Sequence, residues 1–260
     1  RTKRNSWAKE LGIKDLNKEK AEVLFFAGCT YGLSEELKGT VVTTAKLLKM
    51  LKVDFGTLGD KELCCGSPPE KTGLLEEFER LGVANIKRFN ELGIKPLVTP
   101  CAGCYGTIRV EYDELPVKKK FEVLHVSEYL IRLMEDKKIK YKKELPITVT
   151  WHDPCHIGRH CGIYEEPREI LTAIPGIELV EMERIKDQSW CCGAGAGVRT
   201  AFPEMALTVA TERIEEAKET GAEALVTSCP YCEQNLIDPI KRNREKLKVL
   251  DLTDLVLEAL

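Results

Sequence analysis

Three features are absent from this chain of 260 residues, and each absence excludes a class of protein. No apolar run is long enough to cross a bilayer and no signal-peptide pattern is present, so we expect neither a transmembrane segment nor an exported, disulfide-stapled fold. A basic excess is absent too, because the formal net charge is −3, which argues against nucleic-acid binding. We therefore expect a cytoplasmic protein, which a partner subunit could hold at a membrane.

Cysteine, in contrast, is abundant, with 11 residues. Because no export signal accompanies them, we interpret them as thiolates held for metal or redox chemistry rather than as disulfides. Ten of them form two sets of the same pattern, with matching members 126 to 128 residues apart, and only Cys161 lies outside this frame. The first set is Cys29, Cys64, Cys65, Cys101 and Cys104, and the second set is Cys155, Cys191, Cys192, Cys229 and Cys232.

The duplicated frame predicts an α/β protein of two tandem Rossmann-like repeats with parallel sheets, related by an internal pseudo-twofold duplication. Short apolar runs alternate with helical patterns in each half, which is typical of parallel sheets. One long helix is expected from about Pro69 to Leu92. We place a tail or linker at residues 1–20, the first repeat at 21–140 and the second at 141–260, with a lysine-rich connector at 137–143 between the repeats.

Each group of cysteines directly follows a predicted strand, at the sheet edge where ligands bind in open α/β folds. Five sulfurs in each half exceed the four ligands of a tetrahedral zinc site, and four would be enough for a cubane iron–sulfur cluster. The count therefore favours an iron–sulfur cluster with unusual ligation in each half. Zinc in one half, or zinc in both, stays an alternative.

The loops around the cysteines suit a negatively charged group. Gly66, Gly193 and Gly195 are candidate cofactor-binding residues, because glycine lets backbone amides approach sulfur closely; alternatively they only form tight turns. His156 is a candidate proton donor, since histidine titrates near neutrality. Arg159 could neutralise cluster charge or bind a carboxylate or phosphate. The alternative for both is packing of the loop around Cys155.

The two cysteine sets, each a single cysteine, a doublet and a CxxC, resemble the duplicated cysteine-rich CCG domain. That domain occurs in the B and D subunits of heterodisulfide reductases and in iron–sulfur subunits of glycolate oxidase and lactate-utilisation complexes. The segments His152–Arg159 (HDPCHIGR) and Ser228–Cys232 (SCPYC) also resemble family motifs. The resemblance covers about residues 20–260. The two halves differ from each other directly after the single cysteine. Thr30-Tyr31 follows Cys29, whereas His156-Ile157 follows Cys155, so the two sites cannot be chemically identical.

The resemblance implies one noncubane 4Fe–4S cluster on each complete cysteine set and reduction of a disulfide between the two clusters. Electrons arrive one at a time, the S–S bond breaks, and each sulfur is bound by an iron of one cluster. The doublets Cys64-Cys65 and Cys191-Cys192, together with His156, would then be catalytic. The expected substrate is a small disulfide of the CoM-S-S-CoB type, or a related sulfur compound.

The same resemblance implies partner subunits of an electron-transfer complex, of ferredoxin-like, flavin or cytochrome type. D-type relatives carry a ferredoxin-like domain before the cysteine sets, and the stretch around Trp7 resembles the linker that follows it. Because the first residue is Arg1 rather than Met, we expect the C-terminal catalytic part of a D-type subunit. Two alternatives remain, an electron-relay subunit of a glycolate- or lactate-type dehydrogenase and a zinc-stabilised interaction module.

Overall fold

The computed structural model describes residues 4–260. The chain divides into two compact units, and the division along the sequence falls between Tyr129 and Leu130. This division lies within the helix Val126–Glu135. The sequence predicted the boundary slightly later, at the lysine-rich stretch 137–143. Each unit is built on one parallel sheet with helices, which confirms the predicted α/β class.

The first unit contains a five-stranded sheet whose paired strands are all parallel. Its strands are Lys14–Asp15 (β1), Val23–Phe25 (β2), Phe55–Thr57 (β3), Pro96–Thr99 (β4) and Glu122–His125 (β5). The strand order is β1-β3-β2-β4-β5, with Leu24 opposite Leu97 in the central pair. All three residues of β2 are buried, because a central strand of a parallel sheet is covered on both faces.

The helices of the first unit follow its strands, and the last of them crosses into the second unit. They are Ser6–Glu10 (α1), Cys29–Leu33 (α2), Lys38–Met50 (α3), Ser67–Lys71 (α4), Leu75–Leu92 (α5), Ala102–Arg109 (α6) and Val126–Glu135 (α7). The single helix expected from Pro69 to Leu92 is wrong, because the chain breaks between α4 and α5. Gly73 lies there with φ of 81°, a left-handed conformation that ends a helix.

The beginning of the chain is an ordered part of the first unit over the residues that the structure describes. Trp7 is 1% exposed, and its ring meets the edge of Phe25 at 6.1 Å between centroids. Further along, β1 adds to the sheet, with Lys14 opposite Gly56. Burial of Trp7 and the pairing of β1 therefore anchor much of the stretch 1–20, which the sequence predicted as a tail or linker. Residues 1–3 of that stretch lie outside the described part.

The second unit contains a four-stranded parallel sheet. Its strands are Ile147–Trp151 (β6), Ile177–Leu179 (β7), Ala224–Thr227 (β8) and Lys248–Asp251 (β9), and its further helices are Glu165–Ala173 (α8), Val198–Ala201 (α9), Pro203–Glu219 (α10), Pro230–Asn243 (α11) and Leu252–Ala259 (α12). The order β7-β6-β8-β9 repeats the order β3-β2-β4-β5 of the first unit. The sequence duplication is thus matched by a duplicated topology.

This topology places the cysteines at one edge of each sheet. The chain adds β3 on one side of β2 and then β4 on the other, so the order reverses between β2 and β4, and likewise between β6 and β8. Ligands of open α/β sheets bind outside the carboxyl ends of the strands at such a reversal. Within residues 4–260, none of the helices combines the length and apolar character that a membrane span requires.

Candidate metal centres

The five sulfurs of the first set form one continuous group. Cys29 follows β2, the doublet lies in the loop after β3, and the CxxC follows β4. The Sγ atoms of Cys29 and Cys64 are 3.9 Å apart. From Cys64 the side-chain contacts continue to Cys65, then to Cys104 and from there to Cys101. Residues as far as 75 positions apart in sequence therefore meet at the sheet edge.

The second set has the same contacts in the same order. Cys155 contacts Cys191, which contacts Cys192; this cysteine contacts Cys232, and Cys232 contacts Cys229. Exposure follows the same rule in both sets: the single cysteine and the first doublet cysteine are half-buried, whereas the other three cysteines are buried. Each group therefore has one accessible side and one side closed by the fold.

Backbone amides point at the sulfurs of both sets. The amides of Gly66 and Gly193 each donate to the Sγ of the first doublet cysteine, Cys64 or Cys191, at 3.4 Å. In the first set the amide of Cys104 also donates to the Sγ of the CxxC cysteine before it, at 3.4 Å. Donors aimed at sulfur favour thiolate over thiol, and ligands of a metal or cluster must be thiolates.

The pKa values of the thiols show how strongly the sulfurs interact. Hydrogen bonds from Cys155 and Cys192 lower the pKa of Cys191 to about 2, while the contact with Cys191 raises the pKa of Cys155. In the first set, hydrogen bonds from Cys104 and then Cys64 lower the pKa of Cys65 well below its usual value. One thiolate is thus favoured in each set, and its charge opposes ionisation of its neighbours. Five adjacent thiolates need a positive partner, so the all-sulfur sites fit an iron–sulfur cluster.

The turn after each doublet requires glycine. Gly66 and Gly193 have φ of 88° and 86°, in the left-handed region. A Cβ at Gly193 would come within 2.9 Å of Val209 Cβ and 3.0 Å of the Ala206 carbonyl oxygen. Gly195, the third predicted glycine, is different, because a Cβ there meets no atom within 4 Å and its φ is not positive.

Replacing Gly193 with Ala should therefore lower the free energy of unfolding by about 2 kcal/mol, from left-handed strain and the contact with Val209. The same variant should bind less iron, because the amide that donates to Cys191 moves. Gly195→Ala is the matched control and should change neither quantity. Chemical denaturation and iron analysis of both variants measure the difference, and equal behaviour of the two would contradict this account of the turn.

Side chains from neighbouring helices fix the main chain of each doublet. Asn85 on α5 donates to the Cys64 carbonyl oxygen at 2.8 Å, and the Tyr112 hydroxyl donates to that of Cys65 at 2.8 Å. In the second unit Asn235, on α11, donates to the carbonyl oxygen of Cys192. Sequence reasoning missed these residues. What marks these polar side chains is their burial, and that burial is visible only in the fold.

An ionic network holds the end of β6 just before Cys155. Arg168 on α8 donates to both oxygens of Asp153, at 2.8 and 2.9 Å, and to Glu181 at 2.6 Å. Trp151 Nε1 adds a hydrogen bond to Asp153 at 3.0 Å. Burial alone would raise the pKa of Asp153, but the hydrogen bonds and charge of Arg168 bring that pKa below its usual value. The carboxylate therefore stays ionised and positions the strand end.

His156 lies on the accessible side of the second set. Its Nδ1 is 3.3 Å from Cys155 Sγ, and its ring stacks on His160 with centroids 4.7 Å apart and planes at 7°. This position is compatible with the predicted proton donor, which stays a prediction.

Arg159 is exposed, and it contacts the loop that leads into the second doublet. Its Nε donates to the Asp187 carbonyl oxygen at 2.9 Å, and its Nη2 donates to the Ser189 carbonyl oxygen. These contacts agree with the alternative interpretation of Arg159, in which it packs the loop around Cys155. The predicted role in binding a cofactor or an anion stays a prediction.

His152 lies deep in the second site. One of its ring nitrogens and the Sγ atoms of Cys192 and Cys232 lie within 4.8 Å of one another, and all three residues are buried. Burial and then the charge of Arg213 lower the pKa of His152 to about 4. The predicted proton donor from the same run is His156, because nothing in the sequence pattern separates a histidine that faces the core from one that faces solvent.

One known sequence family matches both halves of this chain. The sequence model described as a cysteine-rich domain, CCG, matches residues 23–109 and again residues 149–237. The chain belongs to the CCG cysteine-rich domain family. The two matches cover β2 to α6 and β6 to α11, and each contains one complete cysteine set. The resemblance stated from the cysteine frame is therefore confirmed.

Relatives in the CCG family are found among iron–sulfur proteins. Over 250 residues the chain is 40% identical to the D subunit of the dihydromethanophenazine:CoB–CoM heterodisulfide reductase of Methanosarcina mazei, covering 93% of this chain and 60% of that protein. It is 32% identical to the probable iron-sulfur-binding oxidoreductase FadF of Bacillus subtilis, covering 100% of this chain and 38% of that protein. It is 34% identical to the B subunit of the fumarate reductase (CoM/CoB) of Methanothermobacter marburgensis, covering 89% and 45%. The chain thus spans between 38% and 60% of the length of these relatives.

A solved structure shares the CCG chain's fold. A hypothetical protein from Helicobacter pylori matches with a TM-score of 0.61 at 11% sequence identity, covering 91% of this chain and 48% of that one. At that identity the likeness concerns the fold alone, and it agrees with the two parallel-sheet units described above.

Proposed function

We propose that this chain is the catalytic part of an iron–sulfur oxidoreductase that reduces a disulfide at two noncubane 4Fe–4S clusters, one on each cysteine set. The observation that carries the proposal is the matched contact order of two complete five-sulfur groups. A disulfide has two reacting sulfur atoms, and two cysteine groups with the same contact order suit it. The name of the Methanosarcina mazei relative supports a heterodisulfide of the CoM-S-S-CoB type as substrate.

The residues of the chain supply what such a site needs besides the clusters. When bound, the clusters supply single electrons, and their iron binds sulfur. The cysteines hold the clusters at the sheet edge, while the amides of Gly66 and Gly193 orient the sulfurs. The half-buried Cys29, Cys64, Cys155 and Cys191 form the sides that a substrate can approach. His156, on such a side, can deliver a proton to a departing sulfur.

The reaction must balance in electrons and protons. One disulfide takes up two electrons and two protons and gives two thiols. The cysteines and histidines of the site are not the source of these electrons, which come from a partner of ferredoxin-like, flavin or cytochrome type. We propose the same partners for any association with a membrane.

The test is an anaerobic assay of the purified chain with CoM-S-S-CoB heterodisulfide and a reduced viologen dye as artificial donor. The proposal expects two thiols per disulfide consumed, with dye oxidised in the ratio of two single electrons per disulfide. Cystine and oxidised glutathione test the breadth of the substrate class. Clusters that are reduced by the dye, combined with no thiol formation from any of these disulfides, would overturn disulfide reduction.

A second candidate is an electron-relay subunit of a dehydrogenase. It is favoured by the range of relatives, which include an EtfAB:quinone oxidoreductase of Syntrophomonas wolfei at 30% identity. In that case the clusters would pass electrons without binding sulfur substrate. The assay separates the two functions, because a relay oxidises the dye only when a protein or quinone acceptor is present.

A further inference from the structure

The two ring nitrogens of His152 have different surroundings. Arg213 Nε lies 3.3 Å from His152 Nδ1. An arginine side chain only donates hydrogen bonds, so Nδ1 must accept, and a proton on Nδ1 would place donor against donor. The tautomer that fits carries its proton on Nε2.

Arg213 cannot turn away from this histidine without losing other contacts. It is fully buried on α10, and Nη1 donates to Glu216 at 2.6 Å and to the Arg184 carbonyl oxygen at 3.0 Å. Its Nη2 donates to Ser189 Oγ at 3.0 Å, just before the second doublet. The guanidinium is therefore fixed from several sides, and it fixes the tautomer of His152.

The Nε2–H group of His152 lacks a hydrogen-bond partner among the residues that the structure describes. His152 is fully buried, and an unsatisfied buried donor is costly. Sulfurs are the candidate acceptors, because one ring nitrogen lies within 4.8 Å of Cys192 Sγ and Cys232 Sγ, and Nδ1 already accepts from Arg213. A metal bond to Nε2 does not fit. A metal-bound histidine donates a hydrogen bond from its other ring nitrogen, whereas Nδ1 of His152 accepts one from Arg213.

The first unit has no hydrogen-bond donor at the position that matches His152. Phe26 occupies the matching position, since its amide donates to the Val98 carbonyl oxygen at 2.9 Å just as the His152 amide donates to that of Val226 at 2.9 Å. The Phe26 ring packs in the core against Phe89, with centroids 6.0 Å apart. A phenyl ring offers no hydrogen bond, so the two cysteine groups have different environments.

We infer that His152 donates a hydrogen bond from Nε2 to a sulfur of the cluster on the second set. Arg213 positions this histidine, and the hydrogen bond raises the reduction potential of the second cluster. The inference rests on the proposed function, because it requires clusters on both sets. Hydrogen bonds to cluster sulfur stabilise the more negative, reduced state.

The test is a redox titration of the purified chain, followed by the EPR signals of the two clusters. His152→Phe copies the environment of the first unit. It should lower one midpoint only, changing the oxidised-to-reduced ratio at the old midpoint by about tenfold, or 59 mV for a one-electron step. Phe26→Leu is the control and should leave both midpoints in place. Two unmoved midpoints in His152→Phe would overturn the inference and leave the proposed function standing.

A second measurement uses the unaltered chain and does not depend on the folding of a variant. With ¹⁵N-labelled histidine, electron–nuclear double resonance of the second cluster should show a weak coupling to a histidine nitrogen that is not bonded to iron, a signal that the Gly193 amide cannot give. A strong coupling to a directly bonded histidine nitrogen would instead identify His152 as a ligand and overturn the inference. A chain without iron on the second set would overturn both the proposed function and this inference.

Discussion

Replacing Cys191 with Ser is expected to remove the iron of the second set and leave the iron of the first. Cys191 contacts Cys155 and Cys192 and accepts the Gly193 amide, so its sulfur links the accessible and buried sides of the group. Serine is a poor ligand for iron in such a cluster and cannot replace that link. Iron should fall from about eight to about four atoms per chain, since each cluster holds four. Disulfide reduction should be lost with it.

Cys161→Ser is the matched control for this variant. Cys161 belongs to the same unit and is half-buried, but it lies outside both sets. The control should keep all its iron and its activity. Iron analysis and the viologen assay on the two variants decide the matter. A Cys191→Ser chain with full iron and full activity would remove Cys191 from the site.

Replacing Arg168 with Leu should lower the free energy of unfolding by about 3 kcal/mol or more, because it leaves the carboxylate of Asp153 buried without its partner. The guanidinium donates to both Asp153 oxygens and to Glu181, and both Arg168 and Asp153 are buried. The loss should also reach the second site, since Asp153 lies only two residues before Cys155. Urea denaturation measures the change in stability.

Arg80→Leu is the corresponding control on the surface. Arg80 pairs with Glu77 one turn away on α5, and both side chains are largely exposed. Solvent screens such a pair, so its removal should leave the unfolding transition unchanged. If the Arg168 and Arg80 variants unfolded at the same urea concentration, the Arg168 network would not be the support of the strand end described here.

Much of the fold is present in local patterns that the sequence displays. The apolar run at Val23–Phe25 and the cysteine after each strand predict the parallel sheets and the edge where sulfur gathers. The break at Gly73 was missed, because a single glycine among helix-forming residues does not by itself predict a left-handed turn. The stretch around Trp7 is predicted as a tail or linker, because the charged residues around it hide a side chain that packs on Phe25.

The parts of the site that the sequence could not predict depend on contacts between distant elements. Asn85 and Asn235 support the two doublets from different helices, so the cysteine repeat gives no hint of them. The contact of Arg213 with His152 joins residues 61 positions apart, and it decides which nitrogen carries the proton. The sequence pattern predicts that cysteines are the ligands. The direction of the hydrogen bonds around them can be read only from the fold.

The most direct test of the central claim is the content of iron, zinc and acid-labile sulfide per chain in protein prepared without oxygen. Two clusters predict about eight iron atoms and about eight sulfides, with no zinc. Four-coordinate zinc on either set would leave at least one of its five sulfurs unused and would give no sulfide from that unit. Zinc in place of iron on one set or both would therefore contradict the account.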